Sequence, residues 1–187
     1  MFTSFIGQTT STAMSTGSDP TGLGRWNWMQ LKGPTFSTYA ITAYQCEQSR
    51  STVGTVSMQR EMHLRRNNIP GCPRKHFISD LINFIKSLLD GNNTIILAAD
   101  VNEHAVDGKL AKELKRMGMI DTFFKKFNVA GPALHVVGSA PIDGVWSTSN
   151  VAPSSVSLFP HKFGAGDHRV FLIDFEFHQV VERRVRI

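Results

Sequence analysis

The sequence predicts an α+β fold, an α/β sandwich of two stacked mixed β-sheets flanked by helices. Three observations carry this prediction: strand-like segments occur in pairs, one short apolar run is typical of a buried central strand, and amphipathic helices lie between the strands. The predicted order is β-β-α-α-β-α-β-β, which does not alternate as a doubly wound parallel sheet requires. With 187 residues, 41% of them hydrophobic, the chain can bury the core of one globular domain.

The first two strands form a predicted hairpin. Residues 25–31 and 38–46 alternate apolar and polar side chains, and a Lys-Gly-Pro-Thr turn separates them. Trp26 and Trp28 lie two residues apart, so their rings share one face of the first strand. We expect core packing there rather than stacking on nucleic-acid bases.

Three helices are predicted from apolar periodicity. The clearest begins at Pro73 and ends before Gly91, and its wide apolar face must be buried against a sheet. A helix is also expected around residues 53–64. Another is expected from near Asp107 to Gly118, with a buried stripe of Leu110, Leu114 and Met117.

The remaining strands follow from shorter patterns. Residues 94–99 are an apolar run between polar loops, which is typical of a central strand buried on both faces. Residues 141–147 form another predicted strand. Residues 169–177 alternate apolar and acidic side chains, so the last strand has one core face and one wet face.

The predicted domain covers residues 20–178. Residues 1–19 are expected to be a weakly ordered lead-in, since nine of the first 20 residues are Ser or Thr, and residues 179–187 a basic tail. A short edge strand in the lead-in is the alternative, formed by Phe2, Phe5 and Ile6.

Most of the net charge of +5 comes from residues 60–76, where five basic residues and one acidic residue give a local charge of +4. Nucleic acid, DNA in particular, is a natural partner for such a segment, and a merely solubilising face is the alternative. The chain has two cysteines, no C-x-x-C pair and no basic residue before Arg25. We therefore expect a nuclear or cytoplasmic protein, not secreted, with no zinc site and no membrane span. The sequence does not indicate an oligomeric state.

Three polar clusters lie beside the predicted strands, and each contains a carboxylate. They are Asp100-Val-Asn102, Ile142-Asp143-Gly144 and Gly166-Asp167-His168-Arg169. Alone, each is more often a turn or a helix cap. Together they supply a base, a group to orient it, a metal ligand and a donor to phosphate, so we predict a hydrolytic site.

These clusters resemble the motifs of the endonuclease/exonuclease/phosphatase superfamily, which includes the apurinic endonucleases and deoxyribonuclease I. The family's later motifs occur here in order, as Ile41-Thr-Ala-Tyr44, Ile96-Leu-Ala-Ala-Asp-Val-Asn102, Pro141-Ile-Asp-Gly-Val-Trp146 and Gly166-Asp-His-Arg-Val-Phe171. The resemblance implies a DNase I-like fold. More narrowly, residues 19–28 and 100–104 resemble the branch found with reverse transcriptases in mobile elements.

The resemblance implies catalytic roles for several residues. His168 would activate water or stabilise charge at phosphorus, and Asp143 would fix its tautomer. Asp100 would orient the attacking water or protonate the leaving oxygen. Asn102 would donate to a phosphate oxygen, and Tyr44 would bond near the scissile phosphate unless it is an ordinary strand aromatic.

Asp167 would bind a divalent ion, with Asp100 as a second ligand. Mg²⁺ is expected, or Mn²⁺, because oxygen ligands and a phosphate substrate suit these ions. Family members have an earlier half that supplies a metal-binding Glu, whereas this sequence has no glutamate before Glu47. The resemblance thus implies a fold incomplete at the N-terminus, a weak metal site and a sheet edge prone to association.

Together, the polar clusters and the resemblance predict a metal-dependent phosphodiesterase. It would be an endonuclease that acts on DNA, with activity impaired by the absence of that Glu. One alternative is an inactive remnant that binds nucleic acid or protein. Another is an enzyme of the same superfamily that acts on RNA or a small phosphoester.

Overall fold

The computed structural model describes residues 13–48, 55–164 and 166–181. These residues form eight strands, β1 (Ala13–Ser18), β2 (Trp26–Lys32), β3 (Ser37–Tyr44), β4 (Thr94–Asp100), β5 (Met119–Asp121), β6 (Asp143–Thr148), β7 (Pro153–Leu158) and β8 (Phe171–Phe175). They also form five α-helices, α1 (Val56–Arg66), α2 (Pro73–Asp90), α3 (Lys109–Arg116), α4 (Thr122–Phe127) and α5 (Phe177–Val181).

The strands build two sheets. Six of them form a mixed sheet in the order β1-β2-β3-β4-β6-β5, and β7 pairs with β8 in a small antiparallel sheet. Among these strands, β3 and β4 run parallel and the other neighbours run antiparallel. A parallel pair needs a long crossover, which α1 and α2 provide. The predicted sandwich of sheets flanked by helices is confirmed.

The main core lies between one face of the six-stranded sheet and helices α2 and α3. Trp26 belongs to this core, as predicted, and its ring stacks on that of Phe84 with centroids 6.0 Å apart. Proline fits the first turn of α2, since the missing N–H has no intrahelical partner there. The fully buried members of this core include Phe77, Leu81, Ile85, Ile95, Leu97, Leu110 and Leu114.

A smaller core covers part of the opposite face of the sheet. Val180 and Val181 of α5 pack with Leu31 and Val151. The Thr38 hydroxyl donates a hydrogen bond to the Val180 carbonyl at 2.6 Å, which ties α5 to β3. Towards the ends of β3 and β4 this face is only half-buried, and a cleft lies there.

Most of the predicted elements are confirmed, with small shifts of their ends. The hairpin is β2–β3, the central strand is β4, and the three helices are α1, α2 and α3. The strand predicted at residues 141–147 is β6. The last strand ends at Phe175, and Phe177 begins α5 instead of continuing the strand.

The lead-in prediction needs a correction. Residues 13–18 form β1, which pairs with β2, because a Ser/Thr-rich segment can still complete an edge ladder; the Ser15 hydroxyl donates to Gln30 Oε1 at 2.8 Å. The alternative edge strand at Phe2, Phe5 and Ile6 lies outside the described residues. The boundaries of the domain and of the basic tail stay predictions.

A buried ion pair closes the turn between β1 and β2. Arg25 Nε donates to Asp19 Oδ2 at 2.5 Å, and both side chains are almost inaccessible, with exposures of 2% and 0%. Arg25 Nη1 also donates to Asp80 on α2 at 2.8 Å. This cluster joins the turn to α2. Asp19 and Arg25, which belong to the segment that resembles the retroelement branch, therefore have a structural role.

In the described part of the chain, no helix has both the length and the apolar character needed to cross a lipid bilayer.

Candidate active site

Three predicted site residues lie on neighbouring strands of the large sheet. Tyr44 ends β3, Asp100 ends β4 and Asp143 begins β6. In the sheet register Tyr44 pairs with Asp100, and Asp100 pairs with Asp143. Paired residues share a face of the sheet, so the three side chains lie in a row. The register thus brings together residues that are 56 and 43 positions apart in the sequence.

His168 completes this row from the segment before β8. Its Nδ1 lies 2.7 Å from Asp143 Oδ2, which is the partner that the sequence predicts. Burial lowers the pKa of His168, but the hydrogen bond and charge of Asp143 outweigh it, so the pKa rises above 6.5. With Nδ1–H donated to the carboxylate, Nε2 is the nitrogen left to exchange a proton.

Asp100 has the most perturbed carboxyl group of the row. Burial, reinforced by the charge of Asp143, raises its pKa from 3.8 to about 6. Its Oδ1 accepts a hydrogen bond from the Asn102 backbone N–H at 3.1 Å, which opposes the rise. A carboxyl group with a pKa near 6 can exchange a proton near neutral pH.

Asn102 and Tyr44 lie at the same edge but have structural partners. The Asn102 side-chain amide donates to the Gln45 carbonyl at 2.7 Å, and its backbone has a positive φ of 44°, which asparagine tolerates well. Tyr44 Oη donates to Glu47 Oε2 at 3.3 Å. Burial and the charge of Glu47 raise the pKa of Tyr44 above 10. Phosphate contacts by these two residues stay predictions.

Asp167 lies on the open side of the site, 63% exposed. It forms a cluster with His135 and His168, in which the possible metal-binding atoms all lie within 4.8 Å of one another. Asp100 belongs to a second such cluster, with Asp143 and His168. The two carboxylates predicted to hold a metal therefore belong to different clusters that share His168, and their joint metal role stays a prediction.

His135 and Arg60 are site neighbours that the sequence reasoning missed. His135 Nε2 lies 3.0 Å from Asp167 Oδ2, and its ring packs edge-on against His168 with centroids 5.1 Å apart. Arg60 is buried, donates to the Tyr44 carbonyl at 3.2 Å and lies over the Tyr44 ring. No motif marks His135, and Arg60 is predicted only as part of the basic segment, residues 60–76, because contacts with distant residues bring each to the site.

A cleft of about 620 Å³ opens onto the row of site residues. The polar residues of its lining include Tyr44, Asp100, Asp143 and His168, and the apolar ones include Ala98, Val145, Phe171 and Ile173. The cleft thus lies between the large sheet and β8, and the side chains of the row face into it.

The basic segment, residues 60–76, is only partly a surface patch. Arg60 faces Tyr44, and Arg74 donates to the carbonyls of Cys46 and Asn102. Arg65, Arg66 and Lys75 are exposed. A second cleft of about 790 Å³ includes Arg65, Lys75 and Lys109 in its lining and reaches Asn102. Arg65 and Lys75 thus lie beside the site, although the exposed basic side chains are fewer than the sequence indicates.

Replacing Asp100 with asparagine is expected to stabilise the fold at pH 7. The folded-state pKa of about 6 lies above the ordinary 3.8, so the ionised carboxylate costs free energy above pH 6, and this cost is absent below about pH 4. A shift of this size corresponds to roughly 3 kcal/mol, and partial solvent access reduces it to about 1–2 kcal/mol.

Urea unfolding in EDTA measures this gain at pH 7 and pH 4. The matched control is Asp174→Asn, at an exposed position of β8, which we expect to stay within about 0.5 kcal/mol of the wild type. An Asp100→Asn protein less stable than the wild type at pH 7 would contradict the raised pKa assigned to the Asp100 carboxyl group.

No protein-family model and no curated protein sequence matches the chain. Solved structures do match its fold. An AP endonuclease from Archaeoglobus fulgidus is similar with a TM-score of 0.59 and 12% identity, over 88% of this chain and 71% of that chain. The chain has the endonuclease/exonuclease/phosphatase fold. The likeness confirms the fold implied by the motifs.

Two further structures agree. The endonuclease domain of TRAS1, a telomere-specific non-LTR retrotransposon, has a TM-score of 0.55 and 9% identity, over 87% of this chain and 69% of that domain. The endonuclease/exonuclease/phosphatase from Bacteroides vulgatus has a TM-score of 0.52 and 14% identity, over 81% of this chain. The chain spans 54% of that Bacteroides protein, so it covers part of the fold.

Proposed function

We propose that this chain is part of a divalent-metal-dependent phosphodiesterase, an endonuclease that hydrolyses DNA. The observation that carries the proposal is the His168–Asp143 pair, 2.7 Å apart, in one cleft with Asp100. A base with a fixed tautomer beside a carboxyl group of raised pKa is suited to acid–base hydrolysis. The named endonucleases of the same fold support the choice of a phosphodiester substrate.

The side chains divide the proposed reaction between them. His168 Nε2 takes a proton from the attacking water, while Asp143 holds the Nδ1–H and stabilises the imidazolium that forms. Asp100, whose pKa is about 6, gives a proton to the leaving oxygen. Asn102 has a second amide hydrogen besides the one given to Gln45, and we assign it to a phosphate oxygen. Tyr44 contacts the phosphate from the end of β3.

The donor groups fit a divalent cation. Mg²⁺ takes one or two protein carboxylates and completes its shell with water and substrate phosphate, and the exposed carboxylate of Asp167 is open to such an ion. Asp167 would hold the ion, and Asp100 is the second proposed ligand, a role that it could take only in its ionised form, after its proton has gone to the leaving oxygen. When bound, Mg²⁺ or Mn²⁺ neutralises charge on the phosphate.

DNA is proposed because basic side chains adjoin the cleft. Arg65, Lys75 and Lys109 line the neighbouring cleft that reaches Asn102, and such groups neutralise backbone phosphates. A retroelement origin is a narrower proposal and rests on the resemblance of residues 19–28 and 100–104.

A plasmid-nicking assay tests the proposal. We expect supercoiled DNA to be nicked with Mg²⁺ and not in EDTA, and His168→Ala to lower the rate by about 10²- to 10⁴-fold, since the base is lost. His178→Ala, on the exposed side of α5, is the matched control and should keep the wild-type rate. Equal nicking by the wild type with Mg²⁺, the wild type in EDTA and His168→Ala would overturn the proposal.

A second candidate function is binding of nucleic acid without cleavage. It is favoured by the exposure of Arg65 and Lys75, which line the cleft that reaches Asn102. Salt-sensitive DNA binding that survives the loss of both Asp100 and His168, in a protein that never nicks DNA, would favour this function. Cleavage of RNA or of a small phosphoester in place of DNA would keep the chemistry and change the substrate.

A further inference from the structure

The cluster of His135, Asp167 and His168 has donor atoms that Mg²⁺ does not prefer. Two imidazoles and one carboxylate offer metal-binding atoms within 4.8 Å of one another. Two ligands of a tetrahedral Zn²⁺ ion, each about 2.0–2.1 Å from the metal, lie roughly 3.4 Å apart, so small side-chain movements would close the cluster on an ion. Imidazole suits Zn²⁺, Co²⁺ and Ni²⁺, whereas Mg²⁺ takes oxygen ligands.

The backbone holds the two histidines side by side. His135 and His168 are partners in an isolated antiparallel bridge, so their side chains emerge together. Hydrogen bonds of 2.9 Å from the Val136 N–H to the Asp167 carbonyl and from the Arg169 N–H to the Leu134 carbonyl fix the two segments. The cluster is therefore built by the fold and is not an accidental meeting of flexible side chains.

His168 also has a carboxylate hydrogen-bonded to one ring nitrogen, as is typical of histidines that bind a metal through the other. Its Nδ1 lies 2.7 Å from Asp143 Oδ2, which leaves Nε2 for an ion. A carboxylate on the far ring nitrogen orients such a ligand and raises its basicity. Two histidines and one carboxylate with an open fourth position are the ligand set of many zinc hydrolases.

We infer that His135, Asp167 and His168 form a site that binds a borderline transition ion of the Zn²⁺ class in preference to Mg²⁺. The sequence-based expectation of no zinc site rested on the cysteines and did not foresee that His135 lies beside His168. His135 Nε2 now lies 3.0 Å from Asp167 Oδ2, and its Nδ1 accepts the Val137 N–H at 3.3 Å. To bind the ion through Nε2, the neutral ring would carry its proton on Nδ1 instead and give up the hydrogen bond from Val137. If the proposed function is correct, an ion bound to His168 would prevent it from acting as the base. The metal-binding inference itself does not depend on catalysis.

Titration of the metal-free full chain with Co²⁺ tests the inference by the visible absorption of the bound ion. We expect one tetrahedral Co²⁺ per chain, displaced by an equal concentration of Zn²⁺ and retained in excess Mg²⁺. His135→Ala should abolish the tetrahedral spectrum. Asp143→Asn should weaken Co²⁺ binding by about 10- to 100-fold, because it removes the carboxylate that orients His168. The matched control is His104→Ala, which removes a histidine paired with Asp107 at 2.8 Å, outside the cluster.

Imidazole NMR identifies the ligands without any assay of cleavage. Zn²⁺ should shift the His135 and His168 resonances and leave His104 unchanged, and circular dichroism should show that each variant is folded. A folded His135→Ala protein that gives the wild-type Co²⁺ spectrum would overturn the inference. Displacement of Co²⁺ by an equal concentration of Mg²⁺, or equal loss of binding in His104→Ala, would overturn it as well.

Discussion

If the chain is the proposed DNA endonuclease, an Asp143→Asn protein is expected to cleave DNA about 10⁴-fold more slowly than the wild type while staying folded. Asp143 Oδ2 accepts the Nδ1–H of His168 at 2.7 Å, and asparagine can present its NH₂ there instead. That would place the imidazole proton on Nε2, so the base would face the water in the wrong tautomer. In an acid–base triad this error alone lowers turnover by about 10⁴-fold.

Two measurements separate this effect from a loss of structure. The pKa of His168, followed by NMR in EDTA, should fall, because burial lowers it and the Asp143 charge that opposes burial is gone. Asp174→Asn should change neither the rate nor the pKa of His168, since Asp174 is exposed on the opposite face of β8. A slow Asp143→Asn protein with an unchanged His168 pKa would contradict the positioning role.

The parts of the fold that could be predicted have strong local patterns. Helix α2 has an apolar face over 18 residues, and β4 is a continuous apolar run, so each burial requirement is visible in a short window. The hairpin of β2 and β3 combines alternation with a Gly-Pro turn. Such elements need few long-range contacts to be identified.

The parts that could not be predicted depend on distant partners. β5 has three residues and α4 has six, which is too short for periodicity to appear. β7 is rich in serine, and it becomes a strand through its pairing with β8. β1 resembles a disordered segment in composition, yet the edge of β2 orders it. Tertiary pairing outweighs local propensity in each case.

The candidate site divides in the same way. Tyr44, Asp100, Asp143 and His168 belong to recognisable motifs, and sheet register and one hydrogen bond bring them together. His135 lies in an irregular segment without a motif, and only its bridge to His168 places it at the site. A sequence pattern can therefore identify residues that meet at the candidate site, but not a neighbour such as His135 that a long-range bridge places there.

Replacing Arg25 with methionine is expected to lower the free energy of unfolding by about 3–5 kcal/mol, the usual cost of leaving a buried charge without its partner. Burial opposes ionisation of Asp19, but the Arg25 and Thr21 hydrogen bonds hold its pKa below 3.8. The methionine side chain fills most of the volume of arginine but leaves the Asp19 carboxylate, 0% exposed, without its cation. For a chain of this size we expect the Tm to fall by roughly 6–20 °C.

Arg65→Met is the matched control, since it breaks an ion pair of similar length at the surface. Arg65 lies 2.7 Å from Glu61 and is 78% exposed, so its loss should cost at most about 1 kcal/mol. Replacing Asp19 by asparagine together with Arg25→Met should recover part of the loss, because the buried carboxylate is then gone. Equal losses for Arg25→Met and Arg65→Met would show that burial does not set the strength of the cluster.

The stabilisation by the Asp19–Arg25 ion pair should depend on pH. The pKa of Asp19 is lower in the folded chain than its ordinary value of 3.8, so the stabilisation is present above pH 3.8 and is lost as the pH falls through the folded-state value. The Arg25→Met protein should therefore approach the wild type in stability under acid conditions. Because the Tyr44 N–H donates to the Arg25 carbonyl at 2.9 Å, loosening this turn should also disturb the strand end that carries Tyr44. The ion pair thus links the stability of the hairpin to the geometry of the candidate site.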